Sequence, residues 1–171
     1  MPRLAGSGAG ALTAAKLVAL LVPAALLAGA YGSEYFGGLF PCEMCWWQRY
    51  AHFAALAFAL AAFALAGLPD RGRSFVWLAA LAILVSGAIG VYHAGVEAKI
   101  FQGFTQCTAP SSGGSGDVLA DIMSRPMVRC DDIQFQFLGV SMAGWNAIIS
   151  ILAALVVAWL SLKRPRDAAL A

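Results

Sequence analysis

Charge is scarce in this sequence. Asp, Glu, Lys and Arg supply 12% of the 171 residues, and the mean hydropathy is +0.76. A soluble domain carries about 25% charged residues. Polar side chains are too few to cover a globule, so lipid has to solvate much of the surface. The charges nearly cancel, leaving a formal +2, which gives no footing for nucleic acid. Also missing are the apolar–polar alternation of membrane β-barrel strands and any repeat with the period of a solenoid. These absences leave helices in a single domain.

What is present is four apolar runs, Thr13–Tyr31, Cys45–Gly67, Phe75–Val96 and Val140–Leu162. Each is near the roughly 20 residues that cross a bilayer core as a helix. Backbone groups in lipid must bond within their own segment, and neighbouring helices tolerate a proline such as Pro23. The expectation is an all-α membrane protein, a four-transmembrane-helix bundle with a long second periplasmic loop. Residues 1–12 form a flexible cytoplasmic N-terminus, 13–162 the membrane domain with outer loops 32–41 and 97–139, and 163–171 a cytoplasmic tail. Arg3, Lys16 and the Ala28-Gly29-Ala30 triplet imitate a cleavable signal. The short n-region is missing, and a bundle without this run would lose a wall, so it is read as retained.

Basic residues set the orientation. Arg3, Lys16, Arg71, Arg73, Lys163, Arg164 and Arg166 fall on one side of the runs, and Arg49, Lys99, Arg125 and Arg129 on the other. Seven against four places both termini and the LPDRGRS loop in the cytoplasm. Glu34, Glu43, Glu97, Asp117, Asp121, Asp131 and Asp132 go to the outer side. So do all four cysteines, Cys42, Cys45, Cys107 and Cys130. In a bacterial inner-membrane protein that side is the oxidising periplasm, where disulfides persist.

The second outer loop contains TAPSSGGSGD, a stretch without core-forming residues. Asp117 then suits a helix N-cap, and Val118, Leu119, Ile122 and Met123 give one apolar face. That short helix either lies on the membrane or tucks onto the bundle. Pro126 ends it, so Cys107 and Cys130 stand on either side of it.

The densest chemistry is PCEMCWWQRY, residues 41–50. Structural zinc sites with four cysteines use two close pairs, and only Cys42 and Cys45 have that spacing. Two static disulfides are the plain alternative, with three connectivities open to four cysteines. Against a static staple stands the position of the pair. Pro41 suits a helix first turn and Glu43 the positive end of its dipole. A helix N-terminus favours the thiolate, the species that attacks disulfides.

Arg49 lies one turn beyond Cys45, about 6 Å along the axis, and His52 continues that face. Its cation favours a Cys45 thiolate and an acceptor's oxygen, or it snorkels to the headgroups; both readings stand on the residues alone. His93 and Glu97 recur at i and i+4 in GVYHAGVEAK and can face Arg49 in a polar pocket wall, or be satisfied interfacial residues. His52 reads first as a buried histidine bonded to a neighbour. Two histidines on separate helices also permit haem. Trp46, Trp47, Tyr50 and Tyr92 suit an interface belt, and Trp46 beside Cys45 also suits the wall of a planar ligand.

Taken together, PCEMCWWQRY, YHAGVE, a cysteine in a long outer loop and CDDIQFQFLGVSMAGWN resemble the DsbB family of bacterial disulfide bond formation proteins, over roughly residues 13–162. The resemblance implies a protein-disulfide-forming quinone reductase of the inner membrane. Such an enzyme reoxidises a thioredoxin-like, DsbA-like periplasmic thiol oxidase and passes two electrons to ubiquinone or menaquinone, the relay that keeps the periplasm oxidising. By position, Cys107 would form the mixed disulfide with the partner and Cys130 would be its loop mate. Cys42 would exchange with Cys130, and Cys45 would make the thiolate–quinone contact. Arg49 matches the quinone-binding arginine, while His93 and Glu97 match by region. No metal is implied. The family often has a proline–tryptophan pair where this chain has Gln134-Phe135, a departure in the loop before the last helix. Two other readings are a vitamin K epoxide reductase-like or dedicated-partner membrane thiol oxidoreductase, and a non-enzymatic membrane protein stapled by disulfides.

Overall fold

The computed structural model describes residues 7–103 and 128–163. Cys107, Arg125, the helix expected after Asp117 and most of the C-terminal tail lie outside the described residues. Among the described residues four helices form a bundle: α1 (Ser7–Tyr35), α2 (Glu43–Ala64), α3 (Arg73–Glu97) and α4 (Met142–Leu162). The helix α3 packs along α2 and α4, and α1 closes the other side against the same two. Neighbours run antiparallel. Lys16 near the start of α1 donates to Ala62 O near the end of α2 at 2.5 Å, whereas Arg49 near the start of α2 donates to Ala30 O late in α1 at 3.1 Å.

Among the described residues three stretches, Gly10–Tyr35, Arg73–Glu97 and Met142–Leu162, are long and apolar enough to cross a membrane. The helix α2 has 22 residues but gathers Glu43, Gln48, Arg49 and His52 toward its N-terminal end. Packing is that of a chain solvated by lipid. Ala15, Ala19, Ala55, Ala59, Ala62 and Ala79 fill the core with Val76, Ile83 and Val157. Leu21, Leu60, Leu81, Leu152, Leu155 and Trp159 are exposed on the outside. Lipid gives leucine no reason to hide, so small residues draw the helices together. At Gly90 of α3 a Cβ would sit 3.0 Å from the backbone oxygen of Ala143 on α4.

The helix ends depart from the expected runs. The first helix extends beyond Thr13–Tyr31 in both directions, and Ser33 Oγ bonds back to Ala30 O at 2.9 Å. Cys42 is the N-cap of α2, its Sγ accepting from Cys45 N at 3.4 Å, so Pro41 precedes the cap and does not occupy the first turn. Glu97 closes α3 and is not a loop residue. Before α4, β1 (Gln136–Phe137) and β2 (Val140–Ser141) form a small hairpin in which Gln136 faces Ser141. Its turn residues Leu138 and Gly139 have φ of 53° and 76°, the left-handed pair that a two-residue hairpin turn requires. Ser141 then caps α4, accepting from Gly144 N at 3.1 Å.

Candidate active site

Cys42, Cys45 and Cys130 gather at the end of the bundle opposite Lys16. The cap position of Cys42 and the first-turn position of Cys45 bring their sulfurs to 3.1 Å. His93, near the end of α3, places Nε2 3.6 Å from Cys42 Sγ. The two sulfurs and a ring nitrogen of His93 all lie within 4.8 Å of one another. Cys130 packs on the same cluster with Met44 and Val96. Hydrogen bonding with Cys130 first, then with Cys45 and burial, pushes the Cys42 thiol well above the ordinary thiol range. Cys42 therefore sits protonated between two sulfurs and donates toward Cys45.

The segment that carries Cys130 is held by charge. Lys99 Nζ, just beyond α3, bonds Asp131 O at 2.8 Å and Asp131 Oδ2 at 2.7 Å. Arg129 forks onto both Asp131 oxygens at 2.8 Å, and the two cations hold that carboxyl well below the usual carboxylate range. Gln134 Nε2 bonds Phe40 O at 2.8 Å, which ties the loop before α4 to the α1–α2 connection.

Beneath the sulfurs runs a buried polar chain through α2, α3 and α4. Gln48 Nε2 donates to Met44 O at 3.2 Å and meets His93 Nδ1 at 3.0 Å, and Gln48 Oε1 accepts from Asn146 Nδ2 at 2.7 Å. Only one orientation of the amide satisfies all three. His93 Nδ1 is thus an acceptor, and the neutral ring carries its proton on Nε2, toward the sulfurs. Asn146 Nδ2 also reaches Ser86 O at 3.2 Å, which fixes its Oδ1 as the acceptor for His52 Nε2 at 2.8 Å and Ser150 Oγ at 3.2 Å. His52 Nε2 lies 2.9 Å from Ser86 Oγ as well. His52 therefore carries its proton on Nε2, and its buried Nδ1 has no partner among the described residues. A metal ligand needs a bare imidazole nitrogen, so the proton on His93 Nε2 speaks against a metal on Cys42, Cys45 and His93.

Arg49 turns toward α1. Its Nη1 donates to Glu34 Oε2 at 2.5 Å, and the guanidinium lies over Tyr31 at 4.6 Å and Trp46 at 4.9 Å. The expected pairing with Glu97 is replaced by Glu34, because Glu97 accepts from Ser141 Oγ and sits 3.8 Å from His93 Nε2. A cavity of about 220 Å³ lies between these helix ends, with Cys42, Cys45, Arg49, His52, His93 and Glu97 in its wall. Trp46, expected to wall a planar ligand, is not in that wall; it braces Arg49 from outside, and Trp145, Phe40 and Phe135 supply the cavity's aromatics. Trp47 and Tyr50 face outward. Gln48, Ser86 and Asn146 are site residues beyond those expected from the sequence, and so is Glu34 as the partner of Arg49. Their signal was an isolated polar side chain inside an apolar helix.

The family model for the disulfide bond formation protein DsbB matches residues 13–160. The chain belongs to the DsbB family. It is 32% identical to the disulfide bond formation protein B of Marinobacter nauticus over 86% of this chain and 91% of that one. It is 31% identical to that of Paracidovorax citrulli over 90% of each chain. With that of Xanthomonas oryzae it shares 33% identity over 77% of this chain and 80% of the relative. No solved structure matches it. DsbB membership and the three apolar helices make this a multi-pass membrane protein of disulfide formation, a thiol oxidoreductase.

Proposed function

We propose that the chain is a bacterial inner-membrane quinone reductase that reoxidises a DsbA-like periplasmic thiol oxidase. In this reading α2 is a fourth span, both termini are cytoplasmic, and the cysteines face the periplasm. The observation that carries it is Cys42 lying between Cys45, 3.1 Å away, and Cys130. A sulfur so placed can exchange with either neighbour.

The electrons follow the sulfurs. A partner thiolate breaks a Cys107–Cys130 disulfide at Cys107, and the released Cys130 attacks Cys42. That attack breaks a Cys42–Cys45 disulfide and leaves Cys45 as thiolate. The N-terminus of α2 and the proton on His93 Nε2 both favour the anion there. The partner's second thiol then closes the partner disulfide and releases Cys107, which attacks Cys130, restores the Cys107–Cys130 disulfide and frees Cys42, so that Cys42 and Cys45 hold the two electrons as thiols. A bound quinone would supply a two-electron, two-proton acceptor for the Cys42 and Cys45 thiols, and the net change would be partner dithiol to partner disulfide.

The cavity suits one ring. It is smaller than the roughly 300–1,000 Å³ of a drug-sized pocket and has Leu26, Leu27, Phe40, Phe135 and Met142 in its wall. Glu34 and Ala30 take two N–H groups of Arg49, out of five in a guanidinium. The remainder can meet developing charge on a ligand oxygen.

The test is anaerobic titration of the reduced protein with a short-chain quinone, counting thiols and following visible absorbance. Two thiols should disappear per quinone consumed, and Cys45→Ser should end the reaction while the protein still inserts. An unchanged thiol count overturns the reading. Cys130→Ser should accumulate a mixed disulfide through Cys107, and the captured protein identifies the partner.

A further inference from the structure

The polar chain beneath the sulfurs ends on an atom that the proposed reaction does not use. His52 is 3% exposed, it is among the residues that line the cavity, and its Nδ1 is buried with no partner among the described residues. Asn146 holds the ring's proton on Nε2, and Asn146 is itself held by Gln48 and Ser86. Nδ1 is thus a fixed, desolvated acceptor. His52 lies seven residues beyond Cys45, about 10 Å further along the axis of α2, and is the lining residue furthest along that helix.

Only a donor satisfies such an atom. A quinone has carbonyl oxygens and can only accept, whereas the hydroquinone it becomes carries two hydroxyls. We infer that His52 Nδ1 accepts a hydrogen bond from a hydroxyl of the hydroquinone, so that the cavity binds the reduced carrier more tightly than the oxidised one. The inference rests on the quinone-reductase reading and deepens it. Favouring the reduced carrier makes the bound quinone a stronger oxidant, and a tenfold preference corresponds to about 30 mV for a two-electron couple. His93 works at the sulfurs and His52 at the far side of the ring, with Gln48 and Asn146 setting both protons.

The experiment measures binding without turnover. Oxidised protein in detergent is dialysed anaerobically against a short-chain benzoquinone, its hydroquinone and the dimethyl ether of that hydroquinone. Wild type should bind the hydroquinone roughly tenfold more tightly than the ether. His52→Leu and His52→Met, either of which suffices if the other fails to fold, should erase that ratio and change quinone affinity less than about twofold. His52→Gln should restore it, because its amide can donate to Asn146 while its oxygen accepts. An unchanged ratio in the Leu or Met variant overturns the inference and leaves the quinone reaction standing. Failure of wild type to bind any of the three overturns both.

Discussion

The side-chain amide of Gln48 meets His93 Nδ1 at 3.0 Å and so holds the imidazole proton on Nε2, 3.6 Å from Cys42 Sγ. A residue whose side-chain hydrogen bonds go to Met44 O, His93 and Asn146 thus decides what the sulfurs see. The same amide accepts from Asn146, so the tautomers of His93 and His52 are set together.

Replacing Gln48 by leucine keeps the volume and removes the director. His93 is then free to place its proton on either nitrogen, and Asn146 Nδ2 loses its shortest partner. Thiol oxidation by quinone should slow by on the order of tenfold to a hundredfold. Leaving buried polar groups unpaired should cost about 1–3 kcal/mol in detergent unfolding. Stopped-flow loss of thiols and a denaturation curve measure the two effects separately. Wild-type rate in a normally folded variant would remove the positioning role.

Arg49→Lys keeps the charge and loses the geometry. A lysine cannot bond Glu34 and Ala30 O together, nor lie flat between Tyr31 and Trp46 as the guanidinium does. KM for quinone should rise about tenfold with a smaller change in kcat, the pattern of lost ligand binding. Glu34→Gln should leave KM nearer wild type and lower stability instead, because it strands a mostly buried cation. Initial rates over a quinone series, with thermal unfolding alongside, separate the two variants.

The helices were legible because length and apolar character are one-dimensional properties, and the Cys42–Cys45 pair because its spacing is local. The ends were less so. A hairpin of two-residue strands is too short to show a period of two, so Val140 and Ser141 read as the start of the last helix and not as β2. Arg49 was read as a site residue, but its partner depends on which helix its face meets, and Glu34 on α1 won over Glu97 on α3. Gln48, Ser86 and Asn146 come from three helices. Each is a lone polar residue in its own stretch, and only packing shows that they meet.

Close packing of α3 on α4 makes Gly90 a sensitive position. A Cβ would meet Ala143 O at 3.0 Å and Ala147 N at 3.1 Å, and backbone atoms cannot rotate away. Gly90→Val should destabilise the bundle by about 1–3 kcal/mol. Gly87→Ala meets Ile151 Cγ1 at 2.9 Å and Ile151 N at 3.3 Å, but it adds one methyl group where valine adds three carbons, and should cost less. Unfolding midpoints of the two variants in one detergent give the order, and a reversed order would mean that the helices part more easily than this contact allows.

At the opposite end of the bundle, Asp70 holds the start of α3 from two residues before its N-cap, Gly72. Its carboxylate accepts from Gly72 N at 3.0 Å, Ser74 N at 2.9 Å and Ser74 Oγ at 2.6 Å. The hydrogen bonds from Ser74, then that from Gly72, lower its pKa from 3.8 to about 2. A carboxyl more acidic folded than unfolded stabilises the fold fully above about pH 4 and loses that contribution as pH falls through about 2. Asp70→Asn should therefore lower the unfolding temperature at pH 7, and the gap to wild type should close as the pH is brought down through that window. Unfolding curves for both proteins, collected across the acid range in an uncharged detergent, test this directly. A gap that stays constant with pH would mean that the shape of the side chain, and not its charge, holds the start of α3.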